Sequence, residues 1–264
     1  MINKKLTAVI IAAAAAFQCA ASCSGKKNGS SPEDTKGSIV EIGGSELSGE
    51  NYDTDAYYSR IEEKVNAASV SDEPFKMDEV GKVITPEAGS EEEELGNYRV
   101  SSSGVKLYYE ESEYPTELIL TLEKYFSSFA NADYTDYSRS VFPSYITEME
   151  NFLQRDFNYD LKTSFAKQCS GLADSMSGDY RITRIKLEPT EQYTEGEDNI
   201  DNYFEAINEA FGKDYYAEVK EDSDRIIDAC FYVMAEDSSG RETMLVSGYE
   251  IVFAEKDGRY YTFG

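Results

Sequence analysis

The residue types able to do chemistry in this 264-residue chain are carboxylates, tyrosines and four cysteines, because histidine and tryptophan are absent. Without histidine there is no Ser-His-Asp or Cys-His catalysis. HExxH zinc sites and most other catalytic metal sites are excluded for the same reason. Asp53 and Asp55 have the D-x-D spacing that opens a calcium loop. The glycine and closing glutamate of an EF-hand are missing, which favours a solvated acidic loop over a calcium module. Tyrosine is abundant at 21 residues, with pairs at Tyr57-Tyr58, Tyr108-Tyr109, Tyr215-Tyr216 and Tyr260-Tyr261. Tyrosines favour β-structure and half-wet surfaces, so abundance alone does not mark a glycan site.

At the N-terminus, Met1-Ile2-Asn3-Lys4-Lys5 precedes an alanine-rich apolar run from Leu6 to Phe17. A positive start, a short apolar middle and small residues after it are the three parts of an export signal. The run is shorter than the ~20 apolar residues of a spanning helix. Ala20-Ala21-Ser22-Cys23 then resembles the lipobox of bacterial lipoproteins, in which small residues precede the cysteine that takes diacylglycerol. The usual leucine three residues before that cysteine is Ala20 here. Cys19 follows the bulky Phe17 and Gln18, which suit the peptidase less well. The resemblance implies residues 1–22 as signal peptide, lipid attachment at Cys23, and mooring on the extracytoplasmic face of the cell membrane. Ordinary secretion with cleavage near Ala21 is the alternative. More than one acyl chain gives a stable anchor, at ~0.8 kcal/mol per buried methylene.

The formal charge is −26, and processing would remove Lys4 and Lys5 and no acid, giving −28. Such a chain repels phosphate backbones, which excludes nucleic acid as a partner. It also repels anionic lipid, so the domain should stand off the bilayer on its tether. The plain reading of the charge is solubility; cation or basic-ligand binding is the functional one, and no acidic cluster has ligand spacing. In an exported chain the remaining pair Cys169 and Cys230 could form a disulfide. Cys169 lies on a helical apolar stripe, and Cys230 alternates with the strand face that should meet the helices. Free thiols are therefore the expectation.

Residues 23–51 are rich in Gly, Ser, Glu and Lys and read as a disordered tether. Residues 52–97 form an acidic, partly ordered spacer. It holds a short amphipathic pattern at Tyr57, Tyr58, Ile61, Val65 and Ala68, and the run Glu91-Glu92-Glu93-Glu94. Residues 98–264 form one α+β domain. It opens with a hairpin around Ser103-Gly104. Four helices follow, starting near Pro115, Asp133, Pro143 and Asp160. The first carries the apolar face Leu118, Ile119, Leu122, Tyr125, Phe126 and Phe129. Asp179–Glu188 reads as a strand with a bulge near Thr183, ended by Pro189. Glu195-Gly196-Glu197-Asp198 is a loop, and Ile200–Phe211 a helix stopped at Gly212. The tail is a three-stranded antiparallel meander, with a bend or bulge at Gly248.

This order of elements resembles the NTF2-like (cystatin-like) fold, in which N-terminal helices pack on a curved antiparallel sheet to form a cone. The resemblance covers roughly residues 115–264 and rests on element order and the bent strand at Gly248. From Ala20-Ala21-Ser22-Cys23 to Glu255-Lys256-Asp257-Gly258-Arg259-Tyr260-Tyr261, the chain is also similar to lipoproteins of Gram-positive gut-type anaerobes. That likeness implies location and fold, not chemistry. Two functions follow from the resemblance. The first is a binding or interaction module for a small molecule, a protein or a second copy, through the mixed face Ile226, Asp228, Cys230, Tyr232 and Met234. The second is an enzyme of the ketosteroid-isomerase or dehydratase type, with Asp228 or Glu250 as base and Tyr232 or Tyr249 as donor. A strand carboxylate is far more often exposed than catalytic, which favours the module. Neither reading calls for a cofactor or a metal.

Overall fold

The computed structural model describes residues 54–90, 92–188 and 198–264. The signal segment, Cys23, the tether, Asp53, Glu91, Pro189 and Glu195–Glu197 lie outside them. Seven helices and a six-stranded sheet make up the described part: α1 (Thr54–Ala67), β1 (Tyr98–Val100), β2 (Lys106–Tyr108), α2 (Thr116–Asn131), α3 (Tyr134–Ser140), α4 (Pro143–Phe157), α5 (Leu161–Ser175), β3 (Tyr180–Leu187), α6 (Asp198–Phe211), α7 (Tyr215–Asp222), β4 (Arg225–Asp237), β5 (Glu242–Lys256) and β6 (Arg259–Thr262).

Local chemistry sets the helix ends. Pro115 precedes α2, and Glu117 in its first turn meets the positive end of the helix dipole. Asp133 caps α3 by accepting from the amides of Thr135 and Asp136. Pro143 opens α4. Asp160 caps α5 through Thr163 N, and Asp214 caps α7 through Ala217 N. Gly212, with φ +70°, ends α6.

The sheet runs β1-β2-β3-β4-β5-β6 and curls into a half-barrel. All pairs are antiparallel except β2–β3, which is parallel, so the sheet is mixed rather than purely antiparallel as expected. The physical reason is connectivity. The chain leaves β2 and crosses four helices before β3, and such a crossover brings a strand back in the same direction. The expected bulge lies between Ile182 and Arg184. Another falls at Phe231/Tyr232, where Gly248 takes φ +61°.

Helix α2 packs against both β3 and β6, and its Phe126 ring meets Phe231 of β4 at 5.3 Å. Phe165 of α5 joins Phe129 of α2 and Tyr134 and Tyr137 of α3 in one aromatic cluster. Helix α1 buries Ile61 and Val65 and packs on α5. Beyond it, Val80 and Ile84 make bridges to Ser101 and Tyr98 at the β1 edge. The segment between the tether and the hairpin is thus laid against the rest of the fold.

Candidate functional site

The inner side of the sheet is where an NTF2-like cone would hold a reactive cavity. Tyr125 of α2, Tyr203 of α6 and Tyr249 of β5 converge there with Phe126, Phe231 and Phe263. Tyr125 sets its ring edge-on to Phe126 and Phe129, and Tyr249 edge-on to Phe231. The Tyr203 hydroxyl donates to Phe263 O at 2.9 Å. Burial pushes the Tyr125 and Tyr203 hydroxyls well above the usual phenol range. What remains between these rings is a cavity of about 20 Å³, which Glu250 also borders. That is room for about one water. Sites for organic ligands run to ~300–1,000 Å³.

The four residues expected to form a carboxylate–tyrosine site divide between the two faces. Asp228 stands opposite Val252, and Glu250 opposite Cys230, in the β4–β5 register. Residues paired in this way share a face. Tyr249 pairs with Phe231 and so shares the inner face. Tyr232 follows the inward Phe231 in β4 and so lies on the outer face, opposite Ser247, while the bulge at Gly248 puts Tyr249 on the inner face. Tyr232 and Tyr249 therefore cannot serve one site. Asp228, Glu250 and Tyr232 share the outer face, away from Tyr249, and the space beside Tyr249 on the inner face is too small for a substrate.

The outer face is more coherent. On it lie Cys230, Tyr232 and Met234 of β4, Met244 and Glu250 of β5, Arg184 and Lys186 of β3, and Glu188 just past its end. Met234 and Met244 are direct cross-strand partners, and Met244 is 44% exposed. Burial chiefly raises the Tyr232 hydroxyl, and the negative charge of nearby Glu188 adds to the rise. The parallel register carries the face on to Lys106 and Tyr108 of β2, then to Tyr98 of β1. The Tyr98 and Tyr108 rings lie 5.0 Å apart, and Lys106 sits over Tyr98 while pairing with Glu92. Arg184 pairs with Glu242 at 3.5 Å, and Lys186 with Glu188 at 3.5 Å. Tyr108 Oη and Arg184 Nε are buried without a hydrogen-bond partner. Burial raises the Tyr108 hydroxyl to about 12. Tyrosine, methionine and arginine together are the composition of the core of a protein interface.

Cys169 and Cys230 are both free thiols, buried and half-buried respectively. Burial pushes both up, which makes them poor nucleophiles.

One group with chemical character was missed in the sequence. Glu123 of α2 is fully buried. Its Oε1 accepts from Ser103 Oγ at 2.7 Å and Ser127 Oγ at 2.9 Å, and Oε2 lies 3.8 Å from Lys124 Nζ. Ser103 Oγ also meets Ser101 Oγ at 3.0 Å. Lys124 pairs with Glu79 at 2.7 Å. Burial opposes both of these charges, yet their pairing holds Glu79 below and Lys124 above their ordinary values. The signal was available: Glu123 stands four residues after Ile119 and three before Phe126, on the apolar stripe itself. The arrangement pins the Ser101–Gly104 turn to α2. Hydrogen bonds account for Oε1, whereas Oε2 is buried without a hydrogen-bond partner.

Of the D-x-D pair, only Asp55 is described; it is an acid in the first turn of α1. Among the described residues, no group of three or more Cys, Asp or Glu could hold a metal ion. No helix there is long and apolar enough to cross a membrane. No protein-family model matches the chain, and neither does any curated protein or solved structure.

Proposed function

We propose that this protein is a lipoprotein moored by lipid at Cys23 to the extracytoplasmic face of the membrane, with an NTF2-like domain that acts as a protein-interaction module. Its docking surface is the outer face of the sheet, built on Tyr98, Tyr232, Met234 and Met244, and its partner is a protein, the simplest being a second copy. One observation carries this reading: among the described residues, aromatic rings close the space between α2, α6 and β5 to about 20 Å³, while Met244 on the outer side stays 44% exposed. A space this small beside Tyr249 favours recognition by surface over an isomerase or dehydratase pocket there. The paired methionines suit such a role because they repack readily against a partner. Two full-chain symmetric contacts of this kind would meet as an isologous pair.

Two experiments test the reading. Metabolic labelling with a fatty-acid probe should mark the wild type and not the Cys23→Ser variant; labelling of both, or of neither, defeats the anchor. Light scattering on the full chain should show a dimer, or a complex with a partner recovered by crosslinking at the outer face. Met244→Glu should weaken that assembly at least tenfold. A monomer with no crosslinked partner at the outer face, or an assembly indifferent to Met244→Glu, defeats the interface.

A further inference from the structure

We propose that the surface under residues 66–79 is a docking groove for extended acidic peptides, and that this stretch of the chain is its resident occupant. Residues 68–76 have no helix or strand of their own. They are held almost entirely by their backbone. Lys162 Nζ of α5 donates to Asn66 O and Ala68 O, the latter at 2.6 Å. Thr135 Oγ1 of α3 donates to Ser69 O at 2.9 Å, and Ser71 N donates to Ser138 Oγ at 3.2 Å. Arg259, at the β5–β6 turn, donates to Asp72 O. Arg139 of α3 donates from Nε to Glu73 O at 2.8 Å and from Nη2 to Pro74 O at 3.0 Å. Its guanidinium also covers the Phe75 ring at 4.1 Å. Lys124 then takes the Glu79 carboxylate at 2.7 Å.

The pattern is that of a receptor and a ligand. Fixed side chains reading carbonyl oxygens do not depend on ligand sequence, as in other modes of extended-peptide capture. Phe75 is half-buried and acts as the anchor, whereas Val70, Asp72, Glu73 and Met77 remain exposed. Four basic side chains face a segment bearing Asp72, Glu73 and Glu79, inside a protein of charge −26. Two acids also face the groove: Asp136, which holds Arg139 Nη1 at 2.8 Å, and Glu117 at its border. Beside the segment a space of about 210 Å³ remains, bordered by Phe75, Met77, Leu120, Thr121, Arg259 and Tyr260. This groove uses α3, α5 and the β5–β6 turn rather than the outer sheet face, so its failure leaves the interface above intact.

Attachment in cis gives the resident segment an effective concentration on the order of mM, which masks the groove from a free peptide. The test uses a fluorescent peptide of Ser69–Glu79 and its anisotropy with the full chain. Phe75→Ala should bind this peptide at least tenfold more tightly than the wild type does. Adding Arg139→Gln to Phe75→Ala should lose at least tenfold again. Equal titrations for wild type and Phe75→Ala, no binding to Phe75→Ala, or no effect of Arg139→Gln would each overturn the proposal. Loss of cooperative unfolding in Phe75→Ala would overturn it too, because the segment would then be core and not a displaceable occupant.

Discussion

Gly248 shapes the outer face, and replacing it with alanine gives a test with a worked magnitude. The residue sits at φ +61°, where a Cβ would stand 3.2 Å from Tyr232 Oη and 3.5 Å from the ring carbon behind it. A left-handed alanine costs roughly 1–2 kcal/mol in backbone strain. The 3.2 Å contact adds about 0.5–1 kcal/mol, since a well-packed site resists an extra methyl. Gly248→Ala should therefore cost about 2 kcal/mol. In a Tyr232→Phe background the oxygen is gone and 3.5 Å is an ordinary contact, so the cost falls to the backbone part alone. Whatever Tyr232→Phe costs by itself, the double-mutant cycle subtracts it. Urea unfolding of the four proteins gives a coupling of about 0.5–1 kcal/mol. If Gly248→Ala costs under about 0.5 kcal/mol, or the same in both backgrounds, the stated geometry of the bulge is wrong.

Other perturbations have equally definite outcomes. Phe126→Ala removes a fully buried ring between α2 and β4 and should cost about 3–5 kcal/mol by denaturant unfolding. Asp133→Ala uncaps α3 and should cost about 1 kcal/mol by the same measurement, with Asp133→Asn recovering most of it. Glu123→Ala strands the Ser103 and Ser127 hydroxyls and should cost about 2 kcal/mol, more than Glu123→Gln, which keeps an acceptor at Oε1. High pH should unfold the protein. Tyr108, Tyr114, Tyr134 and Tyr260 are raised by burial from about 10 to about 12, and Tyr125 and Tyr203 higher still. A raised folded value means stability that is whole below pH 10 and drains away above it. Phenolate absorbance and helix content should then change together between pH 10 and 12; a smooth phenolate rise with helices intact would contradict the burial.

Much of the fold could be read from the sequence because it is written in local patterns. The α2 face from Leu118 to Phe129 is buried as its spacing predicts, and Ala229, Phe231, Val233 and Ala235 alternate inward along β4. The irregularity beside Thr183 showed as a change of face between Ile182 and Ile185, and the one at Gly248 as a glycine inside a strand. What stayed hidden depends on distant partners. The β2–β3 pairing joins segments separated by four helices, and nothing near Leu107 announces Ile185. Ile61 and Val65 were visible as an amphipathic pattern, but their partner α5 was not. The candidate site was less legible than the fold. Tyr232 outward follows from the alternation of β4, but assigning Tyr249 inward needs the bulge at Gly248 counted to the residue, which alternation alone does not supply. Cys169 and Cys230 did follow their local patterns, and both thiols are free.

The parallel seam between β2 and β3 has a consequence for biogenesis. During synthesis the β1–β2 hairpin emerges with one flank bare and waits until four helices and β3 have followed it. Strand pairing across such a gap is slow, and the waiting flank is adhesive toward other nascent chains. Glu92, Glu93 and Glu94 stand just upstream, and Glu92 comes to rest on Lys106 of β2 itself. Charges beside an unavoidable sticky strand are gatekeepers against aggregation. The glutamate run stands in the position that such gatekeepers occupy.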